Sequence, residues 1–301
     1  MSLWTRTNQD HERACMITCA LSGVVANRAQ CPAIPYRPEE YAAEAKRAWE
    51  AGAAAVHIHA RTPDGAPSYE VADYRAIRDA VVAACPVIVN FSTGAIGIPT
   101  EKKVAPIREL HPAVGALNMG SMNYAKYHPG RKAFVFEHVF ANPFSEIAQI
   151  LKAMNEAFTK PELECFDVGH VGNAYPLVDM GMLAPPFQFS LVLGVLGGVP
   201  PGVANLLAMV EQLPPQSDWE VIGIGRDQWR LLAAACAMGG NVRVGLEDHF
   251  YLPNGTMAKS NGELVAKVVE LARTIGREPA TVDEARKILS LDKLSAVGSR
   301  S

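Results

Sequence analysis

Short runs of β-branched and other apolar residues recur along the chain, each followed by turn residues and an amphipathic stretch. Eight of these runs are candidate strands: Met16 to Leu21, Ala55 to Ala60, Pro86 to Ser92, Val114 to Met119, Leu163 to Val168, Phe187 to Leu193, Trp219 to Ile224 and Val242 to Glu247. Strands that alternate with helices are typical of an α/β protein with a parallel sheet. The count of eight predicts a closed (β/α)8, or TIM, barrel.

Two of the intervening helices carry recognisable start and stop signals. Pro38, followed by two glutamates, predicts a helix that ends at Gly52, and Ser68 is a candidate cap for a helix beginning at Tyr69. The alternative fold is an open doubly wound sheet, but its Gly-rich phosphate-binding motif is missing from the sequence. No linker divides the chain, so we expect one barrel domain over residues 1–301, with a tail outside the barrel at about 1–14.

The composition narrows the class of protein and its partners. Of the 301 residues, 49% are hydrophobic and 20% are charged, which is enough apolar material for one large core. A formal net charge of −3 offers no basic face, so neither nucleic acid nor an anionic membrane is an expected partner. The six cysteines occur singly, without a CxxC pair, as expected of reduced thiols in a cytoplasmic protein.

One segment needs a separate test as a membrane span. Residues Gly181 to Val210 contain no charged side chain, and a hydropathy filter alone would select them. Several prolines and glycines interrupt the segment, which favours a buried strand, a turn and a helix over a continuous spanning helix. The amino-terminal residues lack an apolar run of signal-peptide length, so we predict neither secretion nor membrane insertion.

Polar residues collect where the predicted strands end, which is where barrel enzymes place their chemistry. His57 and His59 lie at i and i+2 on the second strand, so both side chains point into the barrel. Two histidines with a carboxylate nearby suit Zn²⁺ and leave positions open for substrate. Alternatively, the pair consists of ordinary strand-end residues held by hydrogen bonds. Glu247, at the end of the eighth strand, is the candidate third ligand.

Other strand ends add further candidates. Asn90, Ser92, Thr93 and Gly94 end the third strand, Asn118 the fourth and Glu164 the fifth, while Arg243, Asp248 and His249 belong to the eighth. The Ser-Thr-Gly sequence is equally typical of a turn with a helix cap. Arg243 and Asp248, taken alone, also fit a structural ion pair. We expect Arg61 and Asp64 to shape a loop and to take no part in the chemistry.

Seven segments, in order from about Met16 to about Leu291, carry a family resemblance: ITCALSG, HIHARTPDG, NFSTG, ALNMGSMN, FDVGH, WEVIGIGRDQW and NVRVGLED. Together they resemble the β-keto acid cleavage enzyme family. The resemblance implies a zinc-dependent TIM barrel that converts a β-keto acid and acetyl-CoA into acetoacetate and a new acyl-CoA. It also implies a homo-oligomer, with a tetramer as the expected state.

The same resemblance implies roles for individual residues. His57, His59 and Glu247 match the zinc ligands, and Arg243 and Asp248 match the pair assigned to proton abstraction. An arginine is an unusual base because its pKa lies above about 12. The predicted substrate contacts are Ser92, Thr93, Gly94, Asn118, Glu164 and Val25.

Binding of acetyl-CoA requires a contact to its phosphates. The loop after the seventh barrel strand often binds phosphate, so Gly223, Gly225 and Arg226 are candidates for the CoA site. A tight turn capped by a surface arginine is an equally good interpretation of the same residues. A different zinc-dependent barrel hydrolase or lyase is the alternative function, and a non-catalytic scaffold barrel is a third possibility.

The segment after the first strand departs from the aminohexanoate-cleaving members of the family. Those enzymes have TGAE here, with a glutamate facing the ammonium group of the substrate, whereas SGVV in this chain places Val25 at that position. A desolvated cation without a counter-charge is costly. We therefore expect a neutral or apolar β-keto acid in place of 3-keto-5-aminohexanoate. The sequence also shows no extra cation nearby, which argues against a dicarboxylate.

Overall fold

Eight parallel strands close into a barrel in the computed structural model, which describes residues 14–292. In chain order the ten strands of these described residues are β1 (Ile17–Ala20), β2 (Ala55–Ile58), β3 (Ile88–Phe91), β4 (Val114–Asn118), β5 (Met122–His128), β6 (Ala133–Phe140), β7 (Lys160–Cys165), β8 (Phe187–Leu193), β9 (Ser217–Gly223) and β10 (Asn241–Val244). All except β5 and β6 belong to the barrel, and β10 pairs with β1 to close it. The predicted (β/α)8 barrel is confirmed, and the open-sheet alternative is wrong.

Helices connect the barrel strands and cover their outer surface. They are α1 (Pro38–Ala51), α2 (Val71–Ala84), α3 (Thr100–Leu110), α4 (Phe144–Glu156), α5 (Val168–Gly172), α6 (Ala174–Asp179), α7 (Val203–Glu211), α8 (Gln228–Ala237), α9 (Asn261–Thr274) and α10 (Val282–Ile288). The tail predicted for about 1–14 falls on residues outside the described part of the chain, except for Ala14.

The helix signals in the sequence are accurate for α1 and two residues off for α2. Gly52 ends α1 with φ of 118°, a left-handed conformation that glycine adopts without steric cost. The second helix begins at Val71, not at Tyr69, because Ser68 lies in the preceding turn. Its hydroxyl accepts a hydrogen bond from the backbone N–H of Glu70 and does not cap the helix itself.

The two faces of the barrel strands differ in character. Outward-facing side chains such as Ile17, Val56 and Phe91 are fully buried and belong to the main hydrophobic core. Inward-facing positions of the same strands carry polar side chains, including Thr18, His57, Asn90, Glu162, Ser190, Glu220 and Arg243, which are also buried. The core between sheet and helices therefore stabilises the fold, while the barrel interior holds an unusually polar set of groups.

An antiparallel hairpin of β5 and β6 follows β4 and was not among the predicted elements. The backbone N–H of Ala125 donates to the carbonyl of Leu196, 3.2 Å away, and this bond joins the hairpin to the loop after β8. Side chains on one face of the hairpin, among them Tyr124 and Phe140, pack with residues at the carboxyl ends of the barrel strands. The hairpin thus forms part of the wall above the barrel mouth.

The uncharged segment from Gly181 to Val210 contains β8, a turn and most of α7, as the sequence predicts. Between residues 14 and 292, no helix is both long and apolar enough to cross a membrane. All six cysteines are buried and free, in agreement with the expected thiols.

Candidate functional site

His57, His59 and Glu247 meet at the mouth of the barrel. The Nε2 atoms of His57 and His59 lie 3.8 Å and 3.4 Å from Oε1 of Glu247. Glu247 follows β10, and only β1 separates that strand from β2, so the closure of the barrel brings the three side chains together. One potential ligand atom from each residue lies within 4.8 Å of the others.

The donor set fits a divalent metal ion. Both ring nitrogens of His57 and Oε2 of Glu247 are buried, and none of these atoms has a hydrogen-bond partner among residues 14–292. Burial, followed by the charge of Arg243, lowers the pKa of His57 to about 3, so its imidazole is neutral and able to bind a metal. Two imidazole nitrogens with one carboxylate oxygen form an open ligand set of the kind that binds Zn²⁺ in catalytic sites.

Gly23 makes room for the carboxylate of this set and was missed by the sequence reasoning. A Cβ atom at this position would lie 2.6 Å from Cγ of Glu247, and the residue has φ of 53°. Both the contact and the left-handed backbone favour glycine here. The glycine in the segment SGVV was the available signal.

Arg243 is the centre of the charges beside the candidate metal ligands. Its guanidinium donates to Asp248 at 2.8 and 3.1 Å, to Glu247 at 2.7 Å and to Glu164 at 3.1 Å. Burial opposes its charge, but Asp248, Glu247 and Glu164 raise the pKa of Arg243 well above its ordinary value. Arg243 therefore stays protonated, which argues against its serving as a base.

The three carboxylates around Arg243 differ in their proton affinity. Burial raises the pKa of Asp248 to about 6, with Arg243 opposing the rise and Glu247 adding to it. Burial and the charge of Glu162 raise the pKa of Glu164 to about 8. Burial also disfavours the charged form of Glu247, but Arg243 and the two histidines hold its pKa well below the usual range. Glu247 is therefore ionised and able to bind a cation.

A chain of buried side chains crosses the barrel beneath these groups. Thr18 donates to Glu220 at 2.8 Å, Ser190 lies 2.9 Å from Glu220 and 2.6 Å from Glu162, and Asn90 donates to Glu162. We call this chain the buried carboxylate network. It joins five of the eight barrel strands, so it fixes its members relative to one another and to the site above.

The two carboxylates of the buried carboxylate network have unequal proton affinities. Burial and the charge of Glu162 raise the pKa of Glu220 well above its ordinary value. Burial raises that of Glu162 as well, but His57, a hydrogen bond with Glu220, and Arg243 together lower the pKa of Glu162 below its ordinary value. Glu220 therefore holds the proton, and Glu162 carries the charge.

The residues after β3 divide into two groups. Ser92 and Gly94 line the cavity above the barrel together with Asn118 and Glu164, as a substrate-binding role requires. The hydroxyl of Ser92 accepts a hydrogen bond from the backbone N–H of Gly94, 3.1 Å away. Thr93 does not line this cavity, because its buried hydroxyl donates to the carbonyl of Ala116 in β4. Its contacts fit the turn interpretation of the Ser-Thr-Gly sequence.

The cavity above the barrel has a volume of about 550 Å³, and its floor includes His59, Arg243, Glu247 and Asp248. On one side the wall is apolar, because β5, β6 and the ends of the barrel strands contribute Tyr124, Phe140, Phe166, Val192, Val195, Ile222 and Ile224. Val24 and Val25 lie in the wall as well, and the side chain of Val25 is 55% exposed. A smaller cavity of about 280 Å³, near the starts of β7 and β8, holds none of the predicted site residues.

The candidates for the CoA site are not all in the cavity. Gly225 lines it, whereas Arg226 is exposed and Gly223 packs against Gln228, both outside the cavity wall. Lys126 on the β5–β6 hairpin is a cation in the wall that the sequence reasoning overlooked. The expectation that no extra cation lies near the site is therefore wrong, because the hairpin that carries Lys126 was not predicted.

Other polar residues of the strand ends have structural surroundings. Arg61 donates to the backbone carbonyls of Gly23 and Ala26, and Asp64 accepts from Thr62, so both residues shape loops as expected. His170 is buried, and its Nδ1 accepts from the backbone N–H of Phe166. His249 lines the cavity but belongs to neither group of potential metal ligands between residues 14 and 292.

The second group of potential ligands consists of His57, Glu162 and Glu164. Their carboxylates already accept hydrogen bonds, from Asn90 and Ser190 at Glu162 and from Arg243 at Glu164. The set with Glu247, which has a free carboxylate oxygen, is the better metal site.

Comparisons with known proteins agree with the barrel and with the sequence motifs. The model of the beta-keto acid cleavage enzyme family matches residues 14–291. The 3-keto-5-aminohexanoate cleavage enzyme of Fusobacterium nucleatum is 40% identical over 280 residues, which cover 92% of this chain and 98% of the relative. The 3,5-dioxohexanoate:acetyl-CoA acetone transferase of Paraburkholderia graminis is 33% identical, covering 93% of this chain and 96% of the relative.

Among solved structures, the apo structure of ObcA has a TM-score of 0.74 and 22% sequence identity. The match covers 87% of this chain and 66% of that one, so this chain spans about two thirds of its length, and the likeness concerns the fold. With a family model that matches nearly the whole of the described chain, the scaffold and hydrolase alternatives have no support. The chain belongs to the β-keto acid cleavage enzyme family.

Proposed function

We propose that this protein is a zinc-dependent enzyme that cleaves a neutral or apolar β-keto acid with acetyl-CoA, giving acetoacetate and a new acyl-CoA. One observation carries the proposal. An open set of metal ligands, with unpartnered buried atoms, lies beside the Arg243–Asp248 pair on the floor of a largely apolar cavity. The names of the relatives, which include an acetyl-CoA-dependent transferase, support the co-substrate.

His57, His59 and Glu247 would hold the zinc ion, which when bound supplies a Lewis acid for the keto and carboxylate oxygens of the substrate. Asp248 is the base in this proposal, since a carboxylate is ionised near neutral pH and an arginine does not release its proton. Arg243 holds Asp248 through two hydrogen bonds and places a fixed positive charge beside the reacting carbon. Ser92, Gly94, Asn118 and Glu164 offer polar contacts to the substrate.

The proposed reaction has two carbon–carbon bond steps, one that forms a bond to the acetyl group and one that breaks a bond of the substrate. Asp248 removes a proton from the carbon between the keto group and the carboxylate, and that carbon bonds to the acetyl carbonyl carbon as the CoA thiolate leaves. The thiolate then bonds to the original keto carbon, and the bond between this carbon and the carbon that Asp248 deprotonated breaks. Return of the proton to the released carbon gives acetoacetate, and the other product is the acyl-CoA.

The cavity wall supports a substrate with an uncharged side chain. Tyr124, Phe140, Phe166 and Ile222 surround the space beside the reacting groups, and Val25 supplies no counter-charge for an ammonium group. A cation placed among these side chains would lose its hydration without gaining a partner. Lys126 favours an anion at the rim, and we assign this charge, with Gly225 and Arg226, to the phosphate groups of CoA.

The test is a coupled assay for acetoacetate formation from acetyl-CoA across a panel of β-keto acids. The panel contains a straight-chain apolar acid, 3-keto-5-aminohexanoate and a dicarboxylic β-keto acid. We expect the highest kcat/KM with the apolar acid and loss of activity in His59→Ala, whereas the matched variant His249→Ala stays active. The highest kcat/KM with 3-keto-5-aminohexanoate would contradict the substrate assignment. An active His59→Ala enzyme would contradict the metal site. We also propose that the protein is a homotetramer and that it works in the cytoplasm.

A further inference from the structure

The buried carboxylate network ends beside a histidine whose hydrogen-bonding groups are unsatisfied. His57 is fully buried, and within the described part of the chain neither Nδ1 nor Nε2 has a hydrogen-bond partner. A neutral imidazole carries one N–H donor and one acceptor nitrogen. A metal ion satisfies the acceptor nitrogen alone, and an unpartnered buried N–H group is costly. The other nitrogen of His57 therefore needs an acceptor within the protein.

Glu162 meets the requirements for this acceptor. One of its carboxylate oxygens, a nitrogen of His57 and an oxygen of Glu164 all lie within 4.8 Å of one another. Glu162 accepts hydrogen bonds from Asn90, Ser190 and Glu220, and a carboxylate has about four acceptor sites, so one remains for His57. Glu164 is a poorer candidate because Arg243 holds it at 3.1 Å. A metal-binding histidine commonly donates its second N–H to a carboxylate, which sets the tautomer and the ring orientation.

We propose that Glu162 is a positioning residue: it accepts the N–H of His57 and so presents the other ring nitrogen to the metal. The inference rests on the proposed metal site, and it extends that site down to the buried carboxylate network. Ser190 and Glu220 bond to Glu162, and Thr18 bonds to Glu220, so the carboxylate of Glu162 is tied to three further strands. The carboxylate thus has a fixed place before any metal binds.

The experiment compares two carboxylates of the same network. Glu162→Met removes the acceptor near His57, and Glu162→Gln removes its charge and one of its two acceptor oxygens. Glu220→Met is the matched control, since it also takes a carboxylate from the network. The tautomer of His57 is measured in the metal-free protein by ¹⁵N NMR with histidine-selective labelling, and the signal is assigned by its loss in His57→Gln. Zinc affinity is measured by competition with a chromophoric chelator.

We expect one tautomer of His57 in the wild-type protein and a mixture in Glu162→Met. Zinc affinity should fall about 10- to 100-fold in Glu162→Met and by less in Glu162→Gln. It should fall least in Glu220→Met, where Glu162 keeps its bonds to Asn90 and Ser190. The proposal would be overturned if Glu162→Met and Glu220→Met had the same His57 tautomers and the same zinc affinity. It would also be overturned if the tautomer changed in Asn90→Ala but not in Glu162→Gln, because Asn90 would then be the acceptor.

Two further outcomes separate the inference from the proposed function. If the wild-type protein binds no zinc, the proposed function fails, while the tautomer in the metal-free protein still decides the role of Glu162. If Glu162→Met does not fold, Glu162→Gln supports the same comparison, because its amide preserves the volume of the side chain while one acceptor oxygen becomes a donor. An unchanged tautomer in a folded Glu162→Gln protein with unchanged zinc affinity counts against the proposal.

Discussion

Arg243 is the residue on which the candidate site depends most, because it contacts three carboxylates at once. A lysine has one compact ammonium group and cannot reproduce two parallel hydrogen bonds to Asp248. We expect Arg243→Lys to retain charge but to lower kcat/KM by about 10- to 100-fold, the cost of one or two charge-assisted hydrogen bonds. Steady-state kinetics with an apolar β-keto acid measure this effect.

A matched control for that substitution lies on the surface. Arg78 also donates twice to a neighbouring aspartate, Asp79, whose side chain is exposed. Arg78→Lys should leave kcat/KM unchanged, since exposed ion pairs contribute little. An equal loss in both variants would mean that Arg243 acts through general stability and not through the site.

Glu220 links the buried carboxylate network to the dependence of stability on pH. Its pKa is raised in the folded protein by burial and by the charge of Glu162, so above the ordinary value the unfolded chain has lost a proton that the folded chain keeps. Stability then falls as pH rises toward the folded pKa, by up to about 1.4 kcal/mol per pH unit. Glu220→Gln lacks this pH-dependent loss of stability because its amide does not ionise.

We therefore expect the free energy of unfolding of Glu220→Gln to increase relative to that of the wild type as the pH rises from 5 to 8. Denaturant unfolding at a series of pH values measures the difference. Stability curves that run parallel for the two proteins would show that Glu220 is ionised in the folded state as well.

Single residues were predictable from the sequence where they follow a strand and carry a group unusual for that place. The two histidines at i and i+2 and the carboxylates after β10 are of this kind. Thr18, Ser190 and Glu220 lie inside strands among apolar neighbours, and their joint position depends on which strands pair across the barrel. The sequence indicates the inward face of each strand, but the partners are set by the closed barrel.

At the scale of elements, the β5–β6 hairpin gives this barrel mouth its apolar wall and Lys126. The run from Met122 to Phe140 has aromatic and β-branched residues around a Pro-Gly pair, which is a hairpin pattern. The count of eight barrel strands left this segment unassigned. Only part of one face of the hairpin is buried, and most residues of both strands are exposed. The segment therefore lacks the regular alternation of apolar and polar residues that marks a half-buried strand.

The attachment of the hairpin can be tested at Gly197. This residue has φ of 113°, and a Cβ atom there would lie 1.8 Å from the carbonyl oxygen of Asn123 in β5. Gly197→Ala should displace the hairpin from the loop after β8, which lowers both stability and kcat/KM. Gly276, with φ of 84° and no atom within 4 Å of such a Cβ, is the matched control.

Both alanine variants carry the cost of a left-handed backbone, about 1–2 kcal/mol for a residue other than glycine. Only Gly197→Ala adds a collision with backbone. Thermal unfolding and steady-state kinetics of the two variants separate the backbone cost from the collision. Gly276→Ala should be less stable than the wild type but should keep its kcat/KM. Unaltered kinetics in Gly197→Ala would show that the hairpin does not shape the cavity.

For the whole molecule, closure of the barrel is what turns distant segments of sequence into one site. His57 and Glu247 are far apart in the chain, yet only β1 separates their strands. A metal ion held by β2 and the loop after β10 would therefore link the first and last quarters of the barrel. Whatever binds the folded state alone also stabilises it, so zinc should protect the entire fold from unfolding.

The expected size of this protection follows from mass action. At free zinc a hundred times above its dissociation constant, the gain is about 2.7 kcal/mol, which corresponds to a rise in Tm of roughly 5 °C for a chain of this size. Dialysis against a chelator should remove the gain, and added zinc should restore it. His59→Ala, which lacks a ligand, should show no response to zinc, whereas His249→Ala should respond as the wild type does. If zinc still raised the Tm of His59→Ala, the ion would bind elsewhere in the molecule. The stabilisation of the barrel by zinc would then not depend on the candidate site.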